Sequence, residues 1–542
     1  MRLAYFLLFL VFASFAEAQV LSNKETYTRA DTLRGSLRAE RSNFDVLEYD
    51  LSVKVEPNKK FISGNNKIRF KVLDSLPRMQ LDLFANMQVD SIIYKNQKLI
   101  FAREYNAVFI DFPKALNPGN IEEVNFYFSG KPKIAKNPPW DGGFIFNKDK
   151  NGKDWVSVAV QGTGASLWYP NKDHQSDEPE TTEIHLIVPE NLMGVSNGRL
   201  TGEQNLKNGF KQFDWLVKNP INNYNIILNV GDYMHFSDQY KDLDLEYYVL
   251  SYNLEAAKKQ FEQVKPMMAC FYEKFGPYPF PEDSYKLVES PHLGMEHQSA
   301  VAYGNAFKNG YMGRDLSGTG IGLRWDFIII HESAHEWFGN SITASDIADM
   351  WIHESFTAYS EAVFVECQWG KEDGLAYTRG TRRGIANDIP IIGDYGVNSE
   401  GSGDMYYKGA NMLNNIRSVI NDDAKWWQLL KDFHTEFKHQ ITNTKEVVNF
   451  FESRTQAELT PIFNQYLRYT QVPQIVFRKE NGKIQYRWEA KAENFEMPLD
   501  LKLYGKQKRI YPTKEWQILA STTDLEKIEV DLDRFYVEVK KN

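Results

Sequence analysis

From Tyr49 to Tyr248 apolar residues recur mostly at every second position. Tyr49, Leu51, Val53 and Val55 alternate with Asp50, Ser52, Lys54 and Glu56, and Ile68, Phe70 and Val72 repeat the pattern. A period of two turns one face of a strand to a core and the other to water. Asn197-Gly198 and Asn208-Gly209 are dipeptides that close hairpins, since the tight turns between strands require positive φ. Short strands over roughly 200 residues predict a large antiparallel sandwich or saddle, ordinarily a scaffold without chemistry of its own.

Further along, the period changes. Residues 254–274 read as an amphipathic helix, closed by Gly276-Pro277-Tyr278-Pro279, which cannot continue it. Helical patterns then cover 324–338, 349–368, 407–421, 424–436 and 444–455, with a Gly/Ser loop at 399–403. After residue 470 strands return, and 475–477 and 484–488 flank Asn481-Gly482, another hairpin signal. The fold class predicted is multi-domain α+β. An N-terminal antiparallel β saddle or sandwich spans 19–242, a mostly helical domain 243–470, and a small C-terminal β-sandwich-like domain 471–542.

Composition narrows the partners. The chain has 542 residues, 42% hydrophobic and 25% charged, which excludes wholesale disorder. A net charge of −9 argues against nucleic acid as a partner. At the start, Arg2, an apolar run over 3–15 and Ala16-Glu17-Ala18 follow the order of a secretory signal over residues 1–18. Cleavage is expected before Gln19, with the mature chain exported to the periplasm or the exterior. The apolar run is too short to span ~30 Å of hydrocarbon as a helix. No later stretch reaches 18 uninterrupted apolar residues, so the mature chain is expected to carry no transmembrane anchor. The only cysteines are Cys270 and Cys367. A single bridge between them stays open, but both lie in apolar helical segments, where buried free thiols are the expectation. Oligomeric state has no signature in the chain.

The sharpest feature is His331-Glu332-Ser333-Ala334-His335, inside an apolar helical stretch. Residues four apart share one helix face, so the two imidazoles converge on one point. Glu332 projects beside that point, where it can take a proton from a metal-bound water. Catalytic zinc takes three protein ligands and keeps a position for water, so a third ligand is needed. Glu354 fits, because 18 residues separate it from His335 and it opens the next helix. Two imidazoles and a carboxylate suit Zn²⁺, one per chain, with other divalent ions open as substitutes. Glu361, seven residues after Glu354, lies two turns along the same face and is placed to orient a ligand imidazole.

HESAHEWFG at 331–339 with Glu354 resembles the gluzincin aminopeptidases of the M1 type, whose usual form is H-E-L-A-H-Q-W-F-G. Gly294-Met295-Glu296-His297 is similar to that family's G-x-M-E-N, FGPYPFP at 275–281 is another shared segment, and Tyr406-Tyr407-Lys408-Gly409 is similar to its Y-x-K-G. The resemblance runs from about residue 40 to 470. It departs at His297 for Asn, Leu293 for the first Gly, Glu336 for Gln, and His353 and Ser355 for the residues flanking the third ligand. A short β-rich segment stands after residue 470 in place of the long helical C-terminal domain of many members.

The resemblance implies a thermolysin-like catalytic domain and hydrolysis of the N-terminal residue from peptides with a free N-terminus. It implies that Glu296, with Gly294 and Met295 of the same motif, holds the substrate's ammonium. Gln161 would assist at that amine, and Tyr406 would stabilise the oxyanion. The extended segment 285–290 resembles the edge strand on which such enzymes lay substrate. Three alternatives remain open at this point: a thermolysin-type endopeptidase, an epoxide hydrolase on the same fold, and a non-catalytic peptide-binding protein. A glycine-rich run at 318–322 lacks the spacing of a nucleotide site, and no G-x-S-x-G elbow occurs.

Overall fold

The computed structural model describes residues 26–455, 457–520 and 524–542. The expected signal segment, 1–18, lies outside the described residues.

The alternating segments form an eight-stranded sheet in the order Arg199–Asn205, Phe210–Val217, Thr181–Pro189, Phe44–Glu56, Phe61–Val72, Ile121–Gly130, Met87–Tyr94, Gln97–Lys98. Leu51 lies opposite Ile184 and Val53 opposite Leu186, all buried, so one face of this register is turned to the core. The sheet corrects the all-antiparallel expectation at one place. Phe44–Glu56 runs parallel to Thr181–Pro189, because the chain between them crosses over to build two further sheets. Those sheets, of three and four strands, enclose a core holding Tyr49, Trp168, Tyr169 and Trp215.

A five-stranded sheet opens the second domain: β1 (Tyr233–Tyr240), β2 (Leu243–Leu250), β3 (Tyr285–Glu289), β4 (Gly294–Met295) and β5 (Val301–Tyr303), in the order β1-β2-β3-β5-β4. β1 and β2 pair along their whole length, from Tyr233 opposite Leu250 to Tyr240 opposite Leu243. The boundary expected at 242/243 therefore falls in a hairpin turn, and the change of sheet lies between Gly231 and Tyr233. β3 is paired on both sides, to β2 and β5, so it is not an edge. The edge strands are β1 and β4, and β4 carries Gly294 and Met295.

Helices pack behind this sheet: α1 (Val264–Lys274), α2 (Phe327–Ala334), α3 (Trp351–Trp369) and α4 (Tyr407–Ile420). The expected helix at 254–274 is broken by a 3₁₀ turn at Phe261–Gln263. α2 starts at Phe327 because the Asp326 carboxylate accepts from the amides of Ile328 and Ile329 at 3.1 and 3.4 Å. Helices at Lys371–Thr381 and Thr460–Arg468 were not legible in the pattern. A single apolar cluster runs from Leu243 to Val537, so the small C-terminal β domain shares its core with the helices. Lys408 of the Y-x-K-G segment helps to join them, donating to the carbonyls of Tyr469 and Thr470 at 2.9 Å each.

Cys270 and Cys367 form a disulfide with Cα atoms 5.9 Å apart, which corrects the expectation of free thiols. Helix packing of α1 on α3 brings together residues 97 apart in the chain, and no periodicity reports that. Among the described residues no helix is long and apolar enough to cross a membrane.

Candidate active site

α2 carries His331 and Glu332, and His335 follows directly with helical φ and ψ of −60° and −22°. Glu354 stands in the first turn of α3. Its Oε2 lies 3.7 Å from Nε2 of His331 and 3.4 Å from Nε2 of His335, and the three donor atoms fall within 4.8 Å of one another. A tetrahedral zinc with bonds near 2.0–2.1 Å would space its donors by about 3.3 Å, so the set has the right aperture. Glu354 Oε2 is buried and accepts no hydrogen bond, an orphaned anion at the focus of two imidazoles. Burial alone would raise the Glu354 pKa, but His335 and His331 pull it well below the ordinary carboxylate range. The residues fit a divalent cation.

The far nitrogens of both imidazoles are occupied, which leaves Nε2 free to ligate. His331 Nδ1 lies 2.7 Å from Glu361 Oε1, and the Tyr377 hydroxyl donates to Glu361 Oε2 at 2.7 Å. His335 Nδ1 lies 3.0 Å from the Phe338 carbonyl and 3.1 Å from Thr357 Oγ1. That carbonyl is available because the helix breaks: Phe338 is extended, and Gly339 takes φ of +130°. A Cβ at Gly339 would meet His335 Nδ1 at 3.1 Å, so both the conformation and the space select glycine.

Glu332 is nearly buried, and desolvation pushes its carboxyl up to about 7. Room for it comes from β4, where a Cβ on Gly294 would stand 2.8 Å from Glu332 Oε1. One residue beyond β4, Glu296 is 2% exposed. Carboxylate oxygens of Glu296 and Glu332 and a ring nitrogen of His335 lie within 4.8 Å of one another. The Gln161 amide crosses from the N-terminal domain and donates to Glu296 Oε1 and, at 3.4 Å, to Glu354 Oε1. Tyr406 caps the start of α4, with its ring 6.0 Å from that of His331 and inclined by 23°. Burial, then Glu354 and Glu296, hold its hydroxyl protonated far above the usual range. Burial, then Glu361 and Tyr311, raise the hydroxyl of the neighbouring Tyr407 well above its ordinary range.

Three of the departures from the family pattern, His353, Ser355 and Glu336, take bracing roles. His353 Nε2 accepts from the Ala344 amide at 2.8 Å, and Ser355 Oγ donates to the Met405 carbonyl at 2.6 Å, just before Tyr406. Glu336 accepts from the Tyr278 hydroxyl at 2.9 Å and the Ser299 amide at 2.8 Å. His297 is buried against His292, ring centroids 6.3 Å apart, and neither of its ring nitrogens is hydrogen-bonded.

Sequence reasoning missed several groups. Tyr224 from the N-terminal domain is buried, and burial, then the Glu296 and Glu354 charges, raise its hydroxyl well above the ordinary range. Glu400, in the Gly/Ser loop, is pushed up to about 7 by burial and then by Glu354 and Glu296. Tyr377 and Thr357 support the ligands. None of these has a local signature. Asn340, directly after the glycine of HESAHEWFG, at least adjoined a motif.

Residues 259–466 match the model of the Peptidase family M1 domain. Among characterised proteins, the Tricorn protease-interacting factor F2 of Thermoplasma volcanium is 22% identical over 419 residues, covering 73% of this chain and 51% of that protein. Probable aminopeptidase 1 of Sulfurisphaera tokodaii is 22% identical over 334 residues, covering 57% and 42%. The chain thus spans about half the length of the curated relatives it matches. Among solved structures, an M1 zinc metallopeptidase from Deinococcus radiodurans superposes with a TM-score of 0.68 at 21% identity, over 81% of this chain and 96% of that one. A mutant of that protein bound to a Tyr-Ser-Ala substrate gives 0.64 at 20% identity, over 79% and 94%. These likenesses establish the fold.

Proposed function

From the premise that residues 259–466 are a peptidase family M1 domain, we propose that this chain is a zinc-dependent aminopeptidase removing the N-terminal residue from peptides. The observation that carries the reading is the placement of buried Glu296 within 4.8 Å of both Glu332 and a donor of His335. A buried carboxylate that close to the candidate base and a candidate metal ligand suits the ammonium of a peptide's first residue, a charge that no internal amide offers.

His331, His335 and Glu354 would hold one zinc. When bound, the metal supplies a Lewis acid for the scissile carbonyl and a water of lowered pKa. Glu332, beside the ligands, takes the proton of the attacking water and delivers it to the leaving amine. Tyr406 keeps its proton and donates to the oxygen that becomes an oxyanion. Glu296 takes the α-ammonium and Gln161 holds the Glu296 carboxylate in place. Glu361 and the Phe338 carbonyl fix the two imidazole rings. A panel of aminoacyl amides, each free and N-acetylated, tests the reading. Cleavage confined to the free amines is expected, and internal cuts in acetylated peptides at comparable rate would favour the endopeptidase.

The chain is also proposed to work outside the cytoplasm. Its first 18 residues have the order of a secretory signal, and a disulfide between α1 and α3 suits an oxidising compartment. N-terminal sequencing of the secreted protein, with Gln19 expected first, checks this.

A further inference from the structure

Glu296 stands one residue past a two-residue edge strand, so sheet pairing ends before it. Something else must fix its distance from the metal ligands. The Asn340 side-chain amide donates to the Glu296 carbonyl at 2.7 Å, and the Asn340 backbone amide donates to the His335 carbonyl at 2.9 Å. One residue therefore bonds both a metal ligand and the amine anchor. The break at Phe338–Gly339 turns the chain back so that Asn340 can reach both.

Asn340 is held in turn from the other domain. Asn225 Nδ2 donates to Asn340 Oδ1 at 2.8 Å, and Asn197 Nδ2 donates to the carbonyls of Asn225 and Gln298 at 2.8 and 2.6 Å. The Gly198 amide donates to Ser299 Oγ at 2.9 Å. Asn340, Asn225 and Asn197 are each at most 1% exposed. At position 340 the side chain must accept from one domain and donate to the other within a fixed length. Asparagine does both, whereas Asp lacks the donor, Ser is too short and Leu offers neither.

We propose that Asn340 is a positioning residue that sets the spacing between the amine anchor Glu296 and the metal ligand His335, and that the N-terminal domain locks it through Asn225. The inference rests on the aminopeptidase reading. It gives the β domain a part in setting exopeptidase register, beyond that of a scaffold.

The test compares the zinc-loaded parent with Asn340→Leu. Zinc content, kcat and KM on a free and an N-acetylated aminoacyl substrate, and calorimetric affinities for leucinol and acetohydroxamate are measured. Leucinol offers an amine, and acetohydroxamate offers metal ligands without one. The expected result is full zinc, KM and leucinol Kd raised about tenfold, and kcat and acetohydroxamate affinity changed by less than about threefold, in line with the large cost of ångström-scale misplacement. The free-to-acetylated ratio should shrink with them. If Asn340→Leu does not fold, Asn225→Ala should weaken leucinol about threefold and leave acetohydroxamate unchanged. Leucinol affinity kept in the variant that folds, or lost in the same proportion as acetohydroxamate, overturns the proposal. A parent that does not distinguish free from acetylated substrate overturns the aminopeptidase reading itself, and discrimination that the variants retain overturns only the role of Asn340.

Discussion

The two halves of the candidate site are built in opposite ways. The metal half uses residues 331–361, with two helices that bring His331, His335 and Glu354 to one point and Glu361 behind His331. The amine half draws Gln161, Asn197 and Asn225 from one domain and Glu296 and Asn340 from the other, with hydrogen bonds spanning up to 135 positions of sequence. Helix geometry therefore writes the metal half into a short motif. The amine half exists only while both domains are docked. On the proposed reading, the difference makes metal binding and exopeptidase register separable, and each variant below should damage one half more than the other.

The largest effect is expected at the metal half. His335→Phe removes a ligand and should abolish both bound metal and turnover, with elemental analysis as the check. Zinc retained at one per chain in that variant would show that the metal sits elsewhere.

Glu332→Gln should keep the metal and lose turnover by ~10²–10⁴-fold, since the amide is nearly isosteric and cannot take the proton. Steady-state rates within threefold of the parent would place the base on another residue.

At the amine half, acetylating a peptide's N-terminus should slow cleavage at least ~100-fold, because a charge-assisted contact of a few kcal/mol is lost and Glu296 stays buried without its partner. Glu296→Ala should slow free-amine substrates and narrow that gap, and mass spectrometry of a single peptide should find residues lost one at a time from the N-terminus. An unchanged gap in Glu296→Ala would return Glu296 to a structural role.

Glu361→Gln sharpens the comparison within the metal half. It leaves a polar partner for His331 but removes the anion, whereas His335 is held by a neutral carbonyl. Zinc affinity, measured by chelator competition, should fall about 10–100-fold while the free-to-acetylated ratio stays fixed. A changed ratio would mean that the two halves are coupled.

The smallest effect on chemistry is expected from Cys270→Ser with Cys367→Ser. The bridge ties α1 to the far end of α3, more than three helical turns from Glu354. Thermal unfolding should report a loss of about 2–4 kcal/mol with kcat and KM unaltered.

Much of this was legible in the chain. Period-two segments announced the β domain, and the spacing of His331 and His335 announced their shared face, because both follow from rises and angles local to ten residues or fewer. The location of Glu354 at the start of the next helix was legible for the same reason. What pattern could not give was contact between distant segments. The parallel pairing of Phe44–Glu56 with Thr181–Pro189, the edge position of β4 rather than β3, and the bridge from Cys270 to Cys367 all depend on how finished elements dock. Tyr224, Glu400 and the asparagines that hold Glu296 carry no period and no motif of their own. Sequence alone determined which residues are candidates for ligand and base, since their spacing is set by helix geometry. Only the tertiary structure decided where Glu296, the proposed amine anchor, stands, since that position is held by buried hydrogen bonds between two domains that no stretch of chain contains by itself.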